Sequence, residues 1–257
     1  MEFIDTHSHL YAEEFDGDRK NAIERCIENG IKKICLPNVD SQSIERMIKL
    51  ETEFPENCFS MMGLHPCSVN QNFQSEIANV KSWLDKRNFI AIGEIGIDLY
   101  WDKTFVKEQI YCFEKQINLA LQYNLPIVIH CRDAFDEIYE VLKKFTVLPK
   151  GIFHCFSGTL HQANQIIELE NFKLGIGGVL TFKNSGLDEV VKNIDLKHLV
   201  LETDSPYLAP APYRGKRNES SYLQIIAEKL ATIKNKTIDE IAEITTENAL
   251  QIFNLKK

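Results

Sequence analysis

The chain has 257 residues, 44% of them hydrophobic, which is enough to bury a sizeable core. Its 29 basic and 37 acidic residues leave a net charge of −8, which argues against a protein that coats long duplex DNA by neutralising many phosphates. Only 12 glycines and 8 prolines are present and no apolar run nears the ~18 residues of a membrane span, so collagen-like, linker-like and membrane-spanning architectures are excluded.

The N-terminus, Met1-Glu2-Phe3-Ile4-Asp5, lacks the basic-then-apolar order of a secretory leader. The seven cysteines include no Cys-x-x-Cys pair, so reduced, mostly buried thiols are expected rather than a disulfide framework. A soluble, cytoplasmic protein is expected. In chain order, strands are predicted over Phe3–Thr6, Lys33–Leu36, Phe59–Leu64, Ile90–Ile95, Ile127–His130, Gly151–Phe156, Lys173–Ile176 and Leu199–Thr203. Several are continuous apolar runs, as in strands covered on both faces. Between them fall helices. Asp18 is placed to cap one whose stripe is Ala22, Ile23, Cys26 and Ile27, with Gly30 as its stop; Ser41 is placed to cap a second with Ile44, Met47 and Ile48 facing inward. A long helix between Phe105 and Gln122 carries Ile110, Phe113, Ile117 and Leu121 and stops before Pro126. Ile138, Val141, Leu142 and Phe145 mark another, and Ile225, Ile226, Leu230 and Ile233 a late one. This alternation fits a (β/α)8 TIM-type barrel in a single domain spanning residues 1–257, with a doubly wound open sheet as the other arrangement of the same elements.

Polar residues at the strand ends favour the barrel. The first strand runs into His7-Ser8-His9, and spacing two in an extended chain turns both imidazoles to one face. The third ends at His65, the fourth contains Glu94, the fifth ends at His130, the sixth carries His154 and the eighth ends at Asp204. Five of the seven histidines thus fall at the rim where barrel enzymes build their sites, whereas His161 and His198 lie on helical or connecting segments and receive no role. His7, His9, Glu94, His130, His154 and Asp204 have the composition that suits borderline divalent metals. Six ligands exceed the needs of one tetrahedral ion, which points to two ions sharing the glutamate.

The stretches Asp5-Thr6-His7-Ser8-His9-Leu10, Gly63-Leu64-His65-Pro66, Gly93-Glu94-Ile95-Gly96-Ile97-Asp98, His130-Cys131-Arg132-Asp133-Ala134, His154-Cys155-Phe156-Ser157-Gly158, Glu202-Thr203-Asp204-Ser205-Pro206-Tyr207-Leu208 and Arg214-Gly215-Lys216-Arg217-Asn218-Glu219 follow in order along nearly the whole chain. Together they resemble the TatD family of metal-dependent deoxyribonucleases, within the amidohydrolase-like barrel enzymes. Ser220 stands where that family commonly has proline, and Leu99 where it commonly has an aromatic residue. The resemblance implies that His7, His9, Glu94 and Asp204 hold one ion and Glu94, His130 and His154 the other, with magnesium, manganese or zinc as the metals. It places Glu94 where some amidohydrolase relatives use a carboxylated lysine.

The activity this implies is hydrolysis of DNA phosphodiesters by a metal-activated water, as an exonuclease of 3′–5′ polarity that prefers single strands and works as a monomer without a membrane partner. Asp204 is expected to orient the water and accept its proton, and His65 to donate to a phosphate or leaving oxygen. Arg132, Arg214 and Arg217 are expected to clamp phosphate, and Trp101, Tyr207 and Tyr213 are candidates to stack on bases. Glu202 and Asp5 are expected to support the ligand histidines, while Cys131 and Cys155 should point away from the site. The same barrel and metals would also serve a C–N, ester or lactone hydrolase, including a deacylase of aminoacyl-tRNA. A pure binding module has no use for an open two-metal centre.

Overall fold

The computed structural model describes residues 1–256. Eight strands alternate with helices: β1 (Phe3–Asp5), β2 (Ile31–Leu36), β3 (Cys58–Ser60), β4 (Ile92–Asp98), β5 (Ile127–Arg132), β6 (Gly151–Phe153), β7 (Phe172–Ile176) and β8 (Leu199–Leu201). The helices are α1 (Arg19–Glu28), α2 (Ile44–Glu53), α3 (Phe73–Lys86), α4 (Val106–Tyr123), α5 (Phe135–Lys143), α6 (Leu160–Glu168), α7 (Leu187–Lys192), α8 (Leu223–Lys234) and α9 (Ile238–Phe253). No helix among the described residues is long and apolar enough to cross a membrane.

All strand pairs are parallel, in the orders β1-β2-β3 and β4-β5-β6-β7-β8. Backbone hydrogen bonds continue the ladder across both seams. Ile90 N donates to Ser60 O and Met62 N to Ala91 O, each at 3.1 Å, while Thr6 N donates to Leu201 O at 3.1 Å and Asp204 N to His7 O at 2.9 Å. The result is the (β/α)8 barrel. Alternation splits each strand between two cores. Ile129, Phe153 and Leu174 face the helices, whereas Ile4, Cys35, Met61, Val128, Ile152 and Val200 fill the barrel interior. Helix α9, whose N-terminus is closed by a reciprocal Thr237–Glu240 capping box, lays Leu250 and Phe253 against that interior core. One mouth of the barrel is thus plugged, and the other is left for chemistry.

Two expected helix caps differ from the structure. Asp18 precedes α1 but makes no capping bond, because its carboxylate is taken by Arg217 and Arg25. Helix α2 begins after Ser43 rather than Ser41, whose hydroxyl instead donates to Glu76 at 2.7 Å. Strand β4 also starts later and runs further than the sequence indicates, through Gly96 to Asp98.

Candidate metal centre

Strand β4 positions the central carboxylate through a pairing irregularity. Ile92 pairs with Ile127 but Ile95 pairs with Ile129, so three steps on β4 match two on β5. That extra residue shifts the alternation: Ala91 faces the interior core, and Glu94, Gly96 and Asp98 follow on the same side at the open mouth. Gly96 lies opposite His130 at φ +146°, where an added Cβ would sit 2.0 Å from the His130 carbonyl oxygen, so only glycine allows the strands to approach there. Gly175 makes room in the same way for the Glu202 carboxylate, 2.1 Å from where its Cβ would be.

Glu94 is 2% exposed, and its two oxygens face different partners. Oε2 lies 3.1 Å from His7 Nε2 and 3.6 Å from His9 Nε2. Oε1 lies 2.8 Å from both His130 Nδ1 and His154 Nε2. Asp204 Oδ1 completes the first set, 3.7 Å from His7 Nε2 and 3.5 Å from His9 Nε2. The six residues named from the strand ends therefore converge on one point. Burial opposes ionisation of Glu94, yet His154, His65 and His7 outweigh it and hold the carboxyl well below its usual range. Burial, reinforced by His154, keeps the His7 imidazole neutral.

Whether this donor set suits metal ions can be judged from its own contacts. Both nitrogens of fully buried His7 have no hydrogen-bond partner. A buried polar atom left in that state costs about 1–3 kcal/mol. The facing atoms are 2.8–3.7 Å apart, close to the ~3.4 Å edge of a tetrahedron with ~2.1 Å metal–nitrogen bonds. Imidazoles and carboxylates form three such groups, His7–His9–Asp204, His7–Glu94–His154 and His65–Glu94–His130. The set fits divalent cations of the borderline class.

His65 fits the third group less well. Its Nδ1 accepts from the Cys67 backbone N–H at 3.0 Å, and burial lowers its pKa despite Glu94. The neutral ring then carries its proton on Nε2, the nitrogen 3.3 Å from Glu94 Oε1. That makes it a hydrogen-bond donor facing the centre.

The far nitrogens of three rings face polar groups behind them, and two of them are hydrogen-bonded there. Tyr11 Oη lies 3.0 Å from His9 Nδ1 and donates to Pro37 O, Asp98 Oδ2 lies 2.9 Å from His130 Nε2, and Glu202 lies 3.5 Å from His154 Nδ1 while accepting from Cys155 N. Such partners set tautomer and orientation. Glu202 is where the sequence indicates, whereas Tyr11 and Asp98 were not expected. Asp5 differs from expectation. Its carboxylate touches no imidazole, accepting instead from the backbone of His7 (3.3 Å) and Thr203 (3.0 Å) and from Thr203 Oγ1 (2.6 Å). It ties together the segments that carry His7 and Asp204.

Burial raises the Asp5 carboxyl to about 7. An unfolded aspartate titrates near ~3.9, so between about pH 4 and about 7 the folded chain holds a proton that the unfolded chain has lost. Stability should therefore fall as pH rises through that window, by up to about 1.4 kcal/mol per unit from this group. Comparing the melting temperatures of wild type and Asp5→Asn across it should show the gap moving in favour of the variant as pH rises. A constant gap would contradict the assignment.

A cleft of about 670 Å³ opens over the centre, lined by His9, His65, Glu94, Asp98, Trp101, His130, Arg132, His154, Asp204, Tyr207 and neighbouring groups. Arg132 is the one arginine or lysine among the described residues lining it. The other two expected phosphate contacts are elsewhere. Arg217 is committed to Asp18 at 2.6 and 2.8 Å and to the Glu14 carbonyl, so it fastens the loop after β8 to α1 rather than meeting a ligand. Arg214 stacks on Phe182 at 3.7 Å, outside the cleft lining. Tyr213 stacks on Tyr222. Cys131 and Cys155 are half-buried and border the cleft, rather than being buried away from it.

Residues 4–254 match the family model described as TatD related DNase. The uncharacterized metal-dependent hydrolase YabD of Bacillus subtilis (strain 168) is 40% identical over 254 residues, covering 98% of this chain and 99% of its own. The crystal structure of YjjV, a TatD homolog from Escherichia coli K12, superposes with a TM-score of 0.93 at 29% identity, covering 99% of this chain and 98% of that one. A TatD family hydrolase from Entamoeba histolytica shares the fold, with a TM-score of 0.83 at 23% identity over 98% of both chains.

Proposed function

The chain belongs to the TatD-related DNase family of metal-dependent hydrolases, and from that premise we propose that it is a deoxyribonuclease removing nucleotides from the ends of DNA, single strands preferred, as one hydrolase domain acting as a monomer. The observation that carries this reading is the division of Glu94 between two separate imidazole sets, beside a cleft with a single arginine. His7, His9, Glu94 and Asp204 would hold one divalent ion, and Glu94, His130 and His154 the other, with zinc, manganese or magnesium as the metal. When bound, two such ions lower the pKa of a water towards neutrality and offset charge on the phosphoryl oxygens.

The remaining steps belong to the protein. Burial disfavours ionised Asp204, but its contact with His9 and the neighbouring imidazoles keeps the carboxyl below its usual range, so at neutral pH it is free to accept the water's proton. His65 Nε2–H donates to a phosphate or leaving oxygen. Tyr11, Asp98 and Glu202 hold the imidazoles in register. Arg132 receives phosphate bidentately. The recessed centre and the single cationic side chain support entry of a strand end over engagement of a long duplex, and predict a shallow salt dependence. Seven free cysteines support a reducing, cytoplasmic setting.

The test is a metal-supplemented assay of end-labelled linear strands, duplex and a covalently closed single-stranded circle, beside a phosphomonoester and a lactam. Linear single strands should be shortened from one end, the circle should be spared and chelator should abolish turnover; the position of the label reads out the 3′–5′ sense. Equal cutting of circles and linear strands would refute end dependence. Turnover of the lactam alone would move the reaction to a C–N bond.

A further inference from the structure

One wall of the cleft has a role that the centre does not explain. Beyond β4 the chain presents Tyr100 and Trp101, and Trp101 is 69% exposed, the most of any large hydrophobic side chain among the described residues. An exposed tryptophan on a cleft wall forgoes burial that a core position would give it, which marks a contact surface. The turn is nonetheless held firmly. Asp98 Oδ1 accepts from the backbone N–H of Tyr100 at 2.9 Å and of Trp101 at 3.1 Å, while Asp98 Oδ2 holds His130 Nε2. One carboxylate therefore fixes both the aromatic turn and an imidazole of the centre.

Arg132 stands on the neighbouring strand, at the position that pairs with Asp98. Its guanidinium lies 3.8 Å from the Tyr100 ring centroid and 5.2 Å from that of Trp101, and it makes no ion pair with a carboxylate among the described residues. The rings hold an unneutralised cation at the mouth of a site rich in acidic groups, which leaves its charge for an anion. Tyr207, the other exposed aromatic lining the cleft, packs edge-on to His9 at 5.9 Å, so it belongs to the metal side.

We propose that Trp101 and Arg132, positioned by Asp98, form a subsite for the nucleotide next to the scissile phosphodiester, Trp101 stacking on its base and Arg132 binding its phosphate. The subsite rests on the phosphodiesterase reading above and narrows it. With one cation and one exposed indole, it recognises a single flanking nucleotide without reading its sequence, since every base offers a stacking face. A dinucleotide is then close to a complete substrate.

The chain's two tryptophans allow a direct test. In the metal-loaded full-length Trp83→Phe protein, fluorescence comes from Trp101 alone. A hydrolysis-resistant phosphorothioate dithymidine dinucleotide carrying a 5′-phosphate, so that the nucleotide beside the scissile linkage has a phosphate of its own, should quench it saturably. Two counterparts, each lacking one thymine, should differ, with one binding about tenfold more weakly and failing to quench. Separately, Trp101→Ala should lower by about tenfold the ratio of kcat/KM for the dinucleotide to that for a small activated phosphodiester without bases. Arg132→Ala should weaken all three dinucleotide ligands. Saturable binding without quenching, or equal affinity for both abasic counterparts, would overturn the subsite while leaving phosphodiester hydrolysis intact. Failure to bind any dinucleotide together with failure to cleave any phosphodiester would overturn both.

Discussion

Replacing Glu94 with glutamine will abolish hydrolysis to at least about a thousandfold below wild type, a loss of about 4 kcal/mol of transition-state stabilisation. It should also reduce bound divalent metal from the two ions proposed above to at most one. Four imidazoles of the proposed ligand set, and His65 besides, face the two oxygens of this one buried carboxylate. Glutamine keeps the size but replaces one oxygen with an NH2 group, which would point a donor at one set whichever way the amide turns. It also removes the buried negative charge that balances the site. Elemental analysis after saturation and dialysis measures the stoichiometry, and a melting curve shows whether the barrel persists. Retention of two ions with activity within about tenfold of wild type would refute the shared-carboxylate arrangement.

The residues at the centre were legible because barrel geometry sends every strand end to one mouth, so a histidine after each apolar run is informative even when its neighbours in space are unknown. His7, His9, Glu94, His130, His154 and Asp204 needed only that rule. Asp98 did not obey it. Gly93 and Gly96 resemble the end of a strand, whereas the structure uses Gly96 for close approach to His130 and continues β4 to Asp98. The pairing irregularity between Ile92 and Ile95, which brings Glu94 and Asp98 to the side that Ala91 faces, depends on β5 and leaves no local pattern.

Charge was a weaker guide than strand position. Arg217 lies in a basic loop after β8, the natural place for a phosphate contact, yet its partner Asp18 lies 199 residues earlier. Only the folded chain reveals that this guanidinium is spent on joining the loop to α1. Arg132 differs because its position on β5, two residues beyond His130, fixes its direction into the cleft. Asp5 illustrates the same limit: its place before His7 suggests an imidazole contact, but burial against Thr203 turns it to the backbone.

Asp204→Asn should lower the rate of phosphodiester hydrolysis at least ~100-fold while leaving the fold in place, the size expected for loss of a positioned proton acceptor. Asp204 sits at φ +56°, with its N–H bonded to His7 O at 2.9 Å. Asparagine tolerates that left-handed conformation as well as aspartate does, so the backbone has no reason to move. What changes is the chemistry at Oδ1, close to His7 and His9. An amide cannot take a proton from water at neutral pH and is a poor metal ligand. Asp204→Glu separates the two contributions, because it keeps a carboxylate but shifts its oxygens by one methylene. Its activity should lie between wild type and the amide. If Asp204→Asn keeps activity within about threefold of wild type, another group accepts the proton and the role belongs elsewhere.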